Sequence, residues 1–203
     1  MKLNWAERWA VNNPLRVLQQ RVEIRRLKKQ RLLREGSLAL EIGCGRGAGA
    51  GILLKEFRLA RLIAMDLDIG MVRKAQAHLP ALAQRDGQQQ RIFLLAGDVT
   101  FIPIKSGSLD AVFGFGVLHH VVAWRSVLRE IARVLKPGGV YFFEELYPAL
   151  YQNLITRHIL LHPTKDRFTG PQLKEALAGV GLRLQQAREL KKLGILGHAL
   201  KQG

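Results

Sequence analysis

Short apolar runs of strand length alternate with helix-periodic stretches through the middle of this 203-residue chain. Leu38–Ile42, Leu62–Asp66, Ile92–Ala96, Ala111–Phe115 and Val140–Glu144 read as strands. Between them, roughly Ala48–Phe57, Gly70–Arg85 and Val122–Leu135 read as helices. Near-continuous apolar strands separated by helices predict right-handed crossovers and a mostly parallel sheet covered on both faces, an α/β architecture. After Glu145 the rhythm changes. A stretch with Pro148, Pro163 and Gly170-Pro171 leads into a helix over Gln172–Ala178. Two further strands, Arg183–Leu190 and Ile195–Leu200, are separated by a short linker ending in Gly194, which predicts a closing β-hairpin. Ahead of the first strand, residues 1–35 read as a helical extension, with Asn12-Asn13-Pro14 as a break and helix start. Lys136-Pro137-Gly138-Gly139 reads as a helix stop and turn.

Composition adds bounds. The length suits one domain with a substantial core, and 48% hydrophobic residues is ordinary for a globular protein. The single cysteine, Cys44, excludes an intramolecular disulfide and a multi-cysteine zinc site, so no metal is expected. No apolar stretch approaches the ~18 residues that span a bilayer. The N-terminus carries charges and tryptophans where a signal peptide would be apolar, so a cytoplasmic location is expected.

Charge changes the picture. The net charge is +16 and the pI about 10.8, which favours anionic surroundings. Between Pro14 and Arg34 lie eight basic residues, opposed only by Glu23, a net of +7. Three readings are open for this segment: a solvated helical face, an anchor on the anionic inner membrane surface, or a nucleic-acid contact. Leu15, Leu18, Val22 and Leu33 share one helical face while Val17, Ile24 and Leu27 fall elsewhere, so amphipathicity is modest and the membrane reading weaker.

The candidate chemistry centres on Leu38–Gly49. An apolar strand reaches an acid, Glu41, and Gly43, Gly45 and Gly47 follow at alternate positions before a helix. That is the layout of a strand turning tightly into a helix with its backbone bared to a ligand. A second acid, Asp66, closes the next strand about twenty residues on. Two acids and a bare backbone at adjacent strand ends describe a nucleoside pocket.

With these residues and three later landmarks, the chain resembles the class I S-adenosylmethionine-dependent methyltransferases. It is most similar to the small-molecule branch typified by ubiquinone/menaquinone-biosynthesis methyltransferases (methyltransferase type 11). The later landmarks are Gly97-Asp98-Val99, Leu109-Asp110 through Val117-Leu118-His119-His120, and Leu135-Lys136-Pro137-Gly138-Gly139. The resemblance implies a Rossmann-like doubly wound sheet of seven strands with an antiparallel last strand. It implies one domain over 1–203, divided into the basic extension 1–35, a cofactor-binding core 36–146 and an acceptor-side segment 147–203. It also implies S-adenosylmethionine as cofactor and S-adenosylhomocysteine as product. Asp66 suits the ribose diol, because carboxylates accept hydrogen bonds from hydroxyls. By family analogy Asp98 binds the adenine amino group with the Val99 backbone nearby. Glu41, Gly43, Cys44, Gly45 and Leu67 complete that side, and Phe115 and Gly116, leaving the fourth strand, line the methionyl end. Cys44 reads as a small filler of the turn, and Asp110 as a structural turn residue.

Methyl transfer from a sulfonium is an in-line displacement, and holding the partners in line supplies most of the acceleration. Where an acceptor needs deprotonation, His119 or His120 is the candidate base, although both also suit a helix cap. Glu144 and Glu145 are alternative acceptor-side groups. Acceptor contacts are expected from Trp5, Trp9, Tyr147 and Tyr151, with His158 and His162 in the same segment; such aromatics suit a planar or greasy molecule. The expected acceptor is a small molecule, lipid-linked or anionic, such as a quinone or phenol. Two alternatives stay open: a nucleic-acid methyltransferase, suggested by the charge, and a non-catalytic S-adenosylmethionine-binding regulator. Either a monomer or a homodimer fits.

Overall fold

A computed structural model describes residues 13–83, 91–151, 166–190 and 193–203, with backbone alone for 80–83 and Tyr151. Seven strands form one sheet: β1 Leu38–Ile42, β2 Arg61–Asp66, β3 Ile92–Ala96, β4 Leu109–Phe115, β5 Leu135–Leu146, β6 Leu182–Leu190 and β7 Gly194–Lys201. Their order is β3-β2-β1-β4-β5-β7-β6, parallel throughout except that β7 runs antiparallel to both its neighbours. The expected doubly wound sheet and its closing hairpin are both present. The order reverses between β1 and β4, which opens a crevice at their carboxyl ends.

Alternation along the central strands fills two cores. Val112 of β4 and Tyr141 and Phe143 of β5 face one side with Trp124, Ile131 and Leu173. There the sheet is covered by α4, Trp124–Val134, and α6, Gly170–Gly179. Phe113 and Phe142 face the other side, stacked at 4.9 Å with Phe57 at 5.2 Å from Phe113. That side carries α1 Pro14–Lys28, α2 Ala48–Phe57 and α3 Ile69–Ala83; a single short turn, α5 Pro148–Tyr151, follows β5. Asp110 opens β4 and ties three strand starts together: its carboxylate accepts the Leu38 N–H at 2.8 Å and the Lys136 ammonium at 2.6 Å. This lies at the end of the sheet away from the crevice, so Asp110 is structural.

Two elements differ from the sequence reading. In the described part of the extension the helix is Pro14–Lys28, where the Asn13 side chain caps the Leu15 N–H at 2.9 Å; past Lys28 it gives way to a turn in which Arg31 has φ +53°. Residues 1–12 lie outside the described residues, and so do Trp5, Trp9, His158 and His162. Lys136–Gly139 is not a turn ahead of the fifth strand but an insertion within it. Leu135 pairs with Leu109 and Val140 with Ala111, so the intervening residues bulge out, with Gly138 at φ +76°.

Truncating Phe113 removes a stacked, fully buried ring from the larger aromatic cluster. We expect Phe113→Ala to lower unfolding free energy by about 3–5 kcal/mol in urea titrations. Phe101→Ala, at a ring 75% exposed, should stay within about 0.5 kcal/mol of wild type.

Candidate functional site

The crevice at the β1/β4 switch is a cavity of about 540 Å³. That lies in the range of small-ligand sites. Its walls come from the turns after β1, β2, β3 and β4 and from the inner face of α1. Glu41, Gly43, Cys44, Gly45, Asp66, Leu67, Asp98, Val99, Phe115 and Gly116 all line it, so the residues expected to share one pocket do meet.

The turn after β1 explains its own glycines. Gly43 has φ +66°, and a Cβ there would sit 2.6 Å from Val117, so the turns after β1 and β4 can only approach this closely without one. Gly45 has φ +54° with open space beside it, which leaves its backbone bare toward the cavity. The Asp66 carboxylate holds this turn. One oxygen accepts the Gly45 N–H at 2.8 Å and the other the Asp68 N–H at 2.9 Å. A carboxylate has about four acceptor positions, so both oxygens keep capacity for a ligand. Asp98 is arranged likewise: one oxygen accepts the Thr100 N–H at 2.8 Å and hydroxyl at 2.7 Å, and these donors lower its pKa. Cys44 is buried; burial, then the charges of Glu41 and Asp66, push its thiol well up, so it fills space without acting as a thiolate.

Glu41 is the electrostatic anomaly. It is 2% exposed, and one of its carboxylate oxygens has no hydrogen-bond partner among the described residues. Burial pushes its carboxyl up to about 8, and the charge of Asp66 adds to the shift. The carboxylate and the Gln20 side chain close over Gly49, where a Cβ would stand 2.2 Å from the Glu41 oxygen. A buried acid with an unpaired oxygen, beside a second carboxylate, is a place for a cationic or hydrogen-bond-donating ligand group.

The wall after β4 rests on another buried acid. Glu145 has no exposure and accepts the N–H groups of Val117 at 3.1 Å, Leu118 at 2.8 Å and His119 at 3.2 Å. His119 Nδ1 lies 2.8 Å from the same carboxylate. Burial raises Glu145 to about 7, and the three backbone donors pull the other way. Burial, then Arg167 and Arg16, lower His119 to about 3, so its ring is neutral. When Glu145 is ionised it is an acceptor only, and His119 then carries its proton on Nδ1. The ring of His119 therefore turns to Glu145, while His120, its ring tilted against that of His119 with centroids 4.3 Å apart, lines the cavity.

Tyr147 does not reach the cavity wall. It is buried, and its hydroxyl donates to Glu189 of β6 at 2.9 Å. The side chain of Tyr151 lies outside the described residues. Sequence reasoning missed Arg16 and Gln20, which α1 contributes to the cavity wall. Arg16 bridges Glu144 at 2.7 Å and Glu23 at 3.2 Å. In the sequence Arg16 is one of eight similar basic residues, and its partner Glu144 lies 128 positions away, so no local signal marked it.

The chain matches the methyltransferase domain family over residues 40–143. It is 30% identical over 155 residues to a malonyl-[acyl-carrier protein] O-methyltransferase of Methylovorus sp., covering 75% of this chain and 52% of that protein. It is 26% identical over 156 residues to a fatty-acid O-methyltransferase of Mycolicibacterium smegmatis, covering 77% and 47%. The chain spans about a third to a half of the length of the curated relatives it matches first. Among solved structures, an S-adenosylmethionine-dependent methyltransferase from Aquifex aeolicus has the same fold, with TM-score 0.72 at 18% identity over 98% of this chain and all of that one.

Glu41 yields a pH prediction. Its folded pKa is raised above the ordinary 4.5, so its stabilising contribution is present at low pH and lost as pH rises toward about 8. Glu41→Gln removes that loss. Relative to wild type, the variant should gain about 2–4 kcal/mol of stability between about pH 5 and about pH 9, read from urea unfolding at each pH.

Proposed function

The chain belongs to the methyltransferase domain family, the class I S-adenosylmethionine-dependent enzymes; on that premise we propose that it methylates a small acceptor that is lipid-linked or anionic. One observation carries the reading: strand-end carboxylates and an open glycine turn converge on one cavity at the β1/β4 switch, and one buried carboxylate oxygen there has no partner among the described residues. S-adenosylmethionine carries an amine, a ribose diol, an adenine and a methyl activated on a cationic sulfonium, and the donor set fits it. Glu41 and Asp66 concentrate negative charge for a cationic ligand. Asp66 keeps acceptor capacity for hydroxyls, and Asp98 for an exocyclic amine. Val99, Leu67 and Met71 give the apolar wall beside them. Phe115 and Gly116 flank the opposite end.

Binding and alignment are the main work of these side chains, since displacement on an activated methyl gains chiefly from geometry. Where the acceptor loses a proton, His120 is the group that faces it. Glu145 and His119 act behind it as the support that fixes the turn. The relatives' names favour the acceptor class: a malonyl-[acyl-carrier protein] and a fatty-acid methyltransferase both act on acids or acyl chains, by name. The net charge of +16 favours a second reading, a nucleic-acid acceptor.

Calorimetry should show S-adenosylmethionine binding with a dissociation constant of roughly micromolar order, weakened about tenfold or more by Asp66→Ala. Affinity should also rise as pH increases toward about 8, because a cation favours the ionised form of Glu41, and Glu41→Gln should flatten that rise. Unchanged affinity in Asp66→Ala overturns the pocket assignment. Transfer of a radiolabelled methyl into lipid or small-molecule extracts is expected; label in RNA alone assigns the second reading.

A further inference from the structure

Helix α1 has two apolar faces. Ile24 and Leu27 are buried against the core, with Val17 packed beside them, and Arg16 and Gln20 on the same side reach the cavity. Leu15, Leu18 and Val22 lie on the opposite side at spacings of three and four, a single outward stripe. They are 73%, 58% and 43% exposed. The modest amphipathicity seen in the sequence is therefore two partial faces that cancel, one seated and one uncovered.

The uncovered stripe is framed by cations. Arg21, Arg25, Arg26, Lys28 and Lys29 are all exposed on or just after α1. Arg25 and Lys28 lean toward Glu56 on α2, at 2.8 and 3.4 Å. Arg21, Arg26 and Lys29 have no carboxylate partner among the described residues. The one acid of the helix, Glu23, is buried inward beneath Arg16, so it does not offset the outer charge. Among the described residues no helix is long and apolar enough to cross a membrane. An exposed apolar stripe between basic side chains has the makeup of a helix that lies in the interfacial plane of a bilayer. Long Lys and Arg stems flank the inserted residues and keep their charges at the headgroups.

We propose that the outer face of α1 docks on an anionic lipid surface, with Leu15, Leu18 and Val22 entering the headgroup–acyl boundary and Arg21, Arg26 and Lys29 meeting lipid phosphates. Two other occupants fit less well. A single-stranded nucleic acid gains from basic residues interleaved with aromatic stacking platforms, and α1 has no aromatic residue. A second copy would bring two like-charged faces together, which opposes association. The proposal does not depend on the chemistry at the cavity, and its failure leaves S-adenosylmethionine binding untouched.

The test is co-sedimentation of the full chain with phosphatidylcholine vesicles, with and without equimolar phosphatidylglycerol. Binding is expected on the anionic vesicles, at least about tenfold weaker on neutral ones, and weakened by salt. Leu18→Ser/Val22→Ser and Arg21→Gln/Arg26→Gln/Lys29→Gln should each weaken it by about tenfold or more. All five positions are exposed, so both variants should keep wild-type melting temperatures and S-adenosylmethionine affinity, which shows that the fold and cavity are intact. Equal binding to neutral and anionic vesicles overturns the proposal. So does binding to RNA that the charge variant loses and the apolar variant keeps. A wild-type dimer that the apolar variant converts to monomer assigns the stripe to self-association and overturns it too.

Discussion

A carboxylate on one strand that captures the backbone N–H groups of its neighbour's turn is the interaction on which this site depends. It occurs twice. Asp66, ending β2, holds the turn after β1 through Gly45; Glu145, near the end of β5, holds the turn after β4 through Val117, Leu118 and His119. In the strand order β2-β1-β4-β5 the two acids flank the switch point from outside. Each pins an inner turn that would otherwise leave N–H donors unsatisfied beside a crevice. The crevice exists because neighbouring crossovers diverge there, and it keeps its shape because both rims are fastened by charge-assisted hydrogen bonds.

With both rims fastened, Glu41 can remain underpaired. A buried carboxylate with a free oxygen favours its neutral form or a ligand, and collapse of the walls onto it would relieve that tension. Collapse is blocked on one side by the Gly43–Val117 contact and on the other by the Gln20 and Glu41 side chains closing over Gly49. The local instability at Glu41 is thus stored by the packing around it, as expected where a site waits for a cation.

What was legible in the sequence follows from how local each signal is. Glu41, the alternating glycines and Asp66 sit at strand ends that apolar runs mark directly, and the strands and helices of the core fall within a few residues of their expected bounds. The β6–β7 hairpin was readable for the same reason. Pairings across the chain were not. Tyr147 has the composition of a substrate contact, but Glu189, 42 residues away, takes its hydroxyl. Lys136–Gly139 has the residues of a turn, yet pairing on either side incorporates it into β5 as a bulge. The two histidines look equivalent in sequence. Only the buried Glu145 carboxylate, 26 residues on, separates the one that supports the turn from the one that lines the cavity.

The cavity wall built by α1 depends most on such distant pairing, through Arg16. Burial raises Glu144 to about 7 even with the Arg16 guanidinium 2.7 Å away pulling it down, and Glu23 and Glu145 push it up as well. Lifting α1 would remove Arg16 together with Glu23 and open Glu144, 6% exposed with the helix in place, to water. Exposure would return the carboxyl toward its ordinary value, because burial is the main cause of its raised pKa. Seating of α1 is therefore linked to protonation of Glu144: its pKa is raised in the seated state, so the favour for that state is present at low pH and falls as pH rises toward about 7. The same helix that closes the cavity wall with Arg16 and Gln20 carries the uncovered stripe on its outer side. Its position is set from within by an ion pair, which leaves the outer face fixed in place for whatever surface it meets.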